Sequence, residues 1–286
     1  MTAIAWIDTG PGSGRWGAPE QLGLPVDARG LLLGEGVFET VLVLDARPRL
    51  LPAHLQRWQQ GAGLLGLAAP PTDGIDALIT EAIERSGIST GALRLNWCRG
   101  SAPRGLQVAA ASHADGEAAR HLFWLQLSAC APAFAAVQVI ISPTEVRSAT
   151  SVLSRCKSFG YGSSLVARRQ AVAAGAGDAL LLSSTGELCC GSSANLLVRR
   201  DDRWLTPPLA SGCLGGIMRQ RALTLKLAQE ARLEPGDLAS SSAALLLNSL
   251  GCRPITPLSF EANQASRPPA LSCEQAERFW RRLLEP

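Results

Sequence analysis

"SRCKSFGYG", residues 154–162, holds Lys157, one of two lysines in a 286-residue chain whose 27 basic residues are otherwise all arginine. An amine loses its proton when desolvated and becomes a nucleophile, whereas a guanidinium stays charged in any protein setting. Lys226 falls in the run 217–233, whose apolar spacing predicts an amphipathic helix, and there a lysine reads as solvated. Lys157 instead sits among small and apolar residues just ahead of a helix. What such an amine does depends on its neighbours along the chain.

Upstream, "GVFETVLVLDARPRLL" (36–51) predicts two strands around a turn at Asp45–Arg47. Residues 53–67 and 73–87 carry the three- and four-residue apolar spacing of helices. "GALRLNWCRG" (91–100) and "HLFWLQLSA" (121–129) read as strands. The Pro- and Ala-rich stretch 129–136 is the natural linker, so an N-terminal domain is expected over 1–128 and a C-terminal one over 137–286. Downstream, "VQVIIS" starts a strand, and 163–177 predicts a helix ending at glycine. The strand "DALLLSS", the short strands "ELCCG" and "NLLVRR", and the buried "AALLLNSLGCRPI" follow. Strands and helices are mixed in both halves without regular alternation, which predicts a mixed α/β (α+β) chain of two domains.

Composition narrows the function. A net charge of +3, with no basic cluster interleaved with aromatics, argues against a nucleic-acid surface. No apolar run reaches the length of a membrane span. The N-terminus lacks a basic segment followed by an apolar core, so a cytoplasmic protein is expected. The eight cysteines show no C-x-x-C pair and lie far from the histidines. They predict small buried hydrophobes rather than a metal site.

A lysine that bonds a pyridoxal phosphate needs a phosphate cradle, a cation and a partner for the pyridine nitrogen. Gly215 and Gly216, just before a helix opening at Ile217, offer backbone N–H groups and a positive dipole end. Arg57 in "LPAHLQRW" offers a planar fork for a phosphate. Each alone has a plainer reading, a tight loop and a surface arginine.

In order along the chain, these pieces resemble the fold-type IV pyridoxal-phosphate enzymes. The resemblance rests on "RGLLLGEGVFET" (29–40), the His-x-x-Arg of "LPAHLQRW" and "KSFGYGSSLVARRQAVAAGAGDALLL" (157–182). It continues through "CCGSSANLLV" (189–198), "GIMRQ" (216–220) and "NSLGCRPI" (248–255). It implies that Lys157 forms the Schiff base, Arg57 pairs with the phosphate, and Gly216, Ile217 and Met218 offer it N–H groups. Ser249 would add a hydroxyl from another side, and Ser193 and Asn195 would line the cofactor pocket. Members are homodimers acting on small molecules.

Two departures matter. Met218 stands where many members have Thr or Ser. Cys190 stands where the family places the glutamate that pairs with the pyridine nitrogen, and Glu187 is expected on the opposite strand face. A thiol supports that nitrogen's proton less well than a carboxylate and weakens the electron sink. This favours a reaction with its own driving force, as in 4-amino-4-deoxychorismate lyase. The run "RLNWCRGSAPRGL" (94–106) points the same way, with Arg99 and Arg104 as candidate receivers of substrate carboxylates. An aminotransferase of D-amino acids, branched-chain amino acids or amines is the alternative on the same fold, and a non-catalytic relative is a further one.

Overall fold

The computed structural model describes residues 2–10, 13–102, 105–106, 120–256 and 271–285. The chain forms two compact units, Met1–Ala131 with Cys156–Gly160, and Pro132–Arg155 with Tyr161–Pro286. The expected division at 129–136 assigned 156–160 to the second unit. In the structure this segment, Lys157 included, belongs to the first.

The first unit is a six-stranded antiparallel sheet. Its elements are β1 (Ile4–Gly10), β2 (Ser13–Gly17), α1 (Arg29–Leu33), β3 (Gly36–Leu44), β4 (Arg47–Pro48), α2 (Leu51–Leu64), α3 (Ile75–Ser86), β5 (Gly91–Arg99) and β6 (His121–Ala129). The strand order is β2-β1-β6-β5-β3-β4. The turn between β3 and β4 holds Asp45 and Ala46 at φ 55° and 56°, the left-handed geometry that matches the twist of a two-residue hairpin. Trp58 and Ala62 of α2, with Ile75, Ile79 and Ala82 of α3, close over Val41, Leu93 and Leu125 in one apolar core.

β3 has two partners along its outer edge. β4 pairs only with Val43 and Leu44. At the other end Ser158 bridges to Val37, the Phe38 N–H donates to the Lys157 carbonyl at 2.9 Å, and the Phe159 N–H donates to the Gly36 carbonyl at 3.0 Å. Gly36 is required for this approach: a Cβ there would lie 2.5 Å from the Phe159 ring and 2.6 Å from Cys98 Cβ.

The second unit contains β7 (Val137–Arg147), α4 (Gly162–Ala173), β8 (Asp178–Ser183), β9 (Leu188–Gly191), β10 (Asn195–Arg200), β11 (Arg203–Thr206), α5 (Ile217–Thr224), β12 (Gln229–Glu230), α6 (Pro235–Ala239), β13 (Ala243–Asn248), β14 (Gly251–Thr256) and α7 (Cys273–Leu284). Its sheet runs β12-β11-β10-β13-β14-β7-β8-β9, and β9 pairs back onto β10 through Cys190 and Asn195. Six strands therefore close into a ring around a core of Val139, Leu180, Leu196 and Leu246. Ala167 and Ala171 of α4 bring that helix close to Ala179, Leu181, Cys189, Cys190 and Cys213.

The helix expected over 217–233 is much shorter. α5 ends at Thr224, Lys226 takes a left-handed φ of 55°, and Gln229–Glu230 pairs with β11 as a short parallel strand. Tertiary pairing overrides the helical periodicity here. Lys226 is exposed, as a solvated lysine should be. None of the described helices is long and apolar enough to cross a membrane.

Candidate functional site

In the first unit the candidate residues gather at the Gly36 end of β3. Lys157 is half-buried, and its Nζ lies 4.4 Å from the centre of the Phe38 ring. The Arg94 guanidinium lies 3.6 Å from the same ring, and its Nε donates to Asn96 Oδ1 at 2.7 Å. An aromatic face attracts both cations.

Beside them Glu39 is wholly buried and accepts three hydrogen bonds: from His54 Nδ1 at 2.7 Å, Arg57 Nε at 2.8 Å and Arg57 Nη2 at 2.6 Å. Burial alone would push the Glu39 carboxyl up. The Arg57 charge and the bonds from His54 and Arg57 override it and bring the group down to about 2. Burial pushes the His54 imidazole down, which keeps it neutral as a donor.

A carboxyl held below its unfolded value stabilises the fold above that value and loses the contribution as pH falls through the folded one. The window for Glu39 runs from about 4.5 down to about 2. Between about pH 5 and pH 3 the chain is therefore expected to lose on the order of 2 kcal/mol through this group. Denaturant melts at both pH values check this: the slope with pH should be shallower in Glu39→Gln, and equal slopes would refute the assignment.

Two expected residues fare differently. Arg99 is buried, with Nε on Glu35 Oε1 at 2.6 Å and Nη2 on the Gly66 carbonyl at 3.0 Å. Glu35 also takes Arg29 Nε. Arg99 thereby ties Glu35 to the loop that follows α2. Arg104 lies outside the described residues.

In the second unit one end of the strand ring collects the rest. Asn195 opens β10 opposite Cys190, and its Nδ2 donates to the Leu214 carbonyl at 2.8 Å, which draws the loop before α5 onto the ring. Gly216 is the N-cap of α5 and has no side chain to close the helix. A Cβ on it would lie 1.9 Å from Asn195 Oδ1. Helix geometry leaves the N–H groups of Ile217, Met218 and Arg219 without intrahelical acceptors, and all three residues are buried. Asn248 Nδ2 donates to the Ser193 carbonyl at 3.3 Å, which holds the Ser193 loop beside the turn carrying Ser249.

Glu187 is not available to replace the missing carboxylate. It is buried, and its Oε1 accepts from Ser211 Oγ at 2.5 Å. Cys190 belongs instead to a thiol cluster with Cys189 and Cys213. The hydrogen bond from Cys189 pulls the Cys190 thiol down against the effect of burial, and the Arg147 charge adds to the pull. Cys189 is pushed up in return. Asp178 holds the adjoining turn: its Oδ1 accepts from Ser192 Oγ at 2.6 Å and its Oδ2 from Arg168 at 2.8 Å.

Glu39, His54, Asp178 and Arg147 were not singled out as site residues in the sequence. One signal existed for Glu39. A carboxylate in the run "VFETVLV" is destined for burial, and a buried carboxylate needs partners.

The family model for amino-transferase class IV matches residues 36–258, spanning both units. The chain belongs to the class IV aminotransferase family. It is 29% identical over 254 residues to a bifunctional aminodeoxychorismate lyase / D-amino acid transaminase of Mycobacterium tuberculosis, covering 80% of this chain and 84% of that one. A solved structure of a putative 4-amino-4-deoxychorismate lyase from Legionella pneumophila has a TM-score of 0.73 at 27% identity, over 86% of this chain and 91% of that one. A hypothetical aminotransferase from Mycobacterium tuberculosis, in its PLP-bound form, has a TM-score of 0.79 at 23% identity, over 95% and 96%. Class IV membership agrees with the mixed fold expected from the sequence.

Proposed function

We propose that this class IV chain is a pyridoxal-phosphate-dependent lyase that converts 4-amino-4-deoxychorismate to 4-aminobenzoate and pyruvate. The residues present fit the cofactor. The uncapped, buried N-terminus of α5 with glycine at 216 suits an anionic phosphate, and the Arg57 guanidinium is a fixed cation of the kind that pairs with one. Lys157 is the amine that bonds the cofactor. Ser193, Asn195 and Ser249 border the pocket.

The bound cofactor supplies an electron sink for a carbanion beside the substrate nitrogen. In the proposed reaction the Lys157 amine would remove the proton from the amine-bearing ring carbon as general base. The bond from the neighbouring carbon to the enolpyruvyl oxygen breaks and the ring becomes aromatic. A proton returned to the departing group gives pyruvate. The Phe38 ring, 4.4 Å from Lys157 Nζ, gives the side chain a fixed surface to lie against.

One observation favours the lyase over a transaminase. In this reading Cys190 stands at the position that faces the pyridine nitrogen, and the nearby carboxylate of Glu187 is engaged by Ser211 instead. A thiol gives a weaker sink, and aromatisation supplies driving force that amino transfer lacks. The names of two relatives include the lyase activity, one of them beside D-amino acid transamination. The lyase reading carries with it a homodimer and a cytoplasmic location.

The test is direct. The purified protein loaded with pyridoxal phosphate is given 4-amino-4-deoxychorismate, and pyruvate release is measured beside amino transfer from D-alanine or leucine to 2-oxoglutarate. Pyruvate and 4-aminobenzoate in equal amounts are expected. Amino transfer without lyase turnover would reassign the chain to an aminotransferase, and inertness in both assays would mark a non-catalytic relative.

A further inference from the structure

We infer that Glu39 is a positioning residue: it aims the Arg57 guanidinium at the cofactor's phosphate, with His54 bracing the carboxylate from the other side. The inference rests on the proposed binding of pyridoxal phosphate and goes beyond it, because neither Glu39 nor His54 touches the cofactor in that reading.

The geometry is specific. Arg57 donates Nε and Nη2 to the two oxygens of Glu39, the side-on fork that fixes a guanidinium plane. The second oxygen also accepts from His54 Nδ1, so the carboxylate cannot rotate without losing a bond. His54 and Arg57 lie one turn apart on α2, and Glu39 lies on β3, so helix and strand hold the trio rigidly. Glu39 and His54 side chains are each 1% exposed, whereas that of Arg57 is 14% exposed. Arg57 is thus the member that reaches the surface of the cluster.

A purely structural role explains this less well. A buried ion pair adds little stability over apolar residues of similar volume, and Val or Leu would suit the strand "GVFETVLVL" better. A carboxylate here makes sense if the orientation of Arg57 matters.

The experiment compares two ligands of Lys157 that differ only in the phosphate. Dissociation constants for pyridoxal phosphate and for pyridoxal are measured by absorbance in the wild type, Glu39→Gln, Arg57→Ala and the combined variant. Glu39→Gln is expected to weaken pyridoxal phosphate by about tenfold or more and to leave pyridoxal unchanged. The combined variant should match Arg57→Ala, since aiming has no value once the cation is gone. Glu39→Asp, which keeps the charge, should fall between wild type and Glu39→Gln and serves if the latter does not fold.

Equal losses for both ligands, no loss for either, or a further loss in the combined variant would overturn the inference. Failure of the wild type to bind pyridoxal phosphate at all would instead overturn the proposed function, and the two failures are told apart in the same titration.

Discussion

Lys157→Arg is expected to reduce lyase turnover by at least about a thousandfold, within the range lost when a positioned general base is removed, while leaving the fold intact. The substitution preserves charge and length. The Phe38 ring attracts a guanidinium as readily as an ammonium, and the backbone bond from the Phe38 N–H to the Lys157 carbonyl does not depend on the side chain. Only the chemistry of an exchangeable, deprotonatable amine is lost. A role limited to charge would survive in the arginine variant, so a retained activity above about a tenth of wild type would refute the assignment. Borohydride reduction adds a readout independent of turnover. It should fix cofactor to the wild-type chain, with the modified peptide spanning Lys157, and fix none to Lys157→Arg or Lys157→Ala.

Gly216→Ala is expected to produce the second-largest effect, and it should act on cofactor affinity before activity. The added methyl group would sit 1.9 Å from Asn195 Oδ1, and Asn195 cannot swing aside without releasing the Leu214 carbonyl. Overpacking of this kind costs about 1–3 kcal/mol, and part of it is met by shifting the first turn of α5 away from its present place. The N–H groups of Ile217 and Met218 would then no longer converge on one anion. Affinity for pyridoxal phosphate should drop by about tenfold or more, with a lowered Tm. Removing the clash by Asn195→Ser in the same chain should restore part of the Tm. Unchanged affinity in Gly216→Ala would show that this helix end does not hold the phosphate.

The sequence exposed most of the chain's framework because its strong signals are local. Apolar alternation and clean turn residues made β3, β5, β6, α2 and α3 of the first unit legible, and the order of short motifs pointed to the class IV family. The helix beyond α5 was misread because amphipathic spacing from 217 to 233 is only a local preference. Pairing of Gln229–Glu230 with β11 decides the outcome. Long-range polar contacts were out of reach for the same reason. Nothing near Arg99 signals that Glu35, far upstream, accepts from its Nε, and nothing near Glu187 signals Ser211. Glu39 stood in plain view as a charge in an apolar strand, but its partners lie on a separate helix.

The segment Cys156–Gly160 also bears on how the chain is made. One end of β3 is covered by β4, which follows within a few residues, but the Gly36–Phe38 end waits for Lys157–Phe159, synthesised well over a hundred positions later. Until then that end of the strand presents open backbone groups of the kind that invite pairing with another chain. The same few residues that carry Lys157 therefore also finish the sheet. A newly made chain positions Lys157 and loses its sticky edge in a single late event, so a molecule caught with that segment undocked is expected to be prone to aggregate.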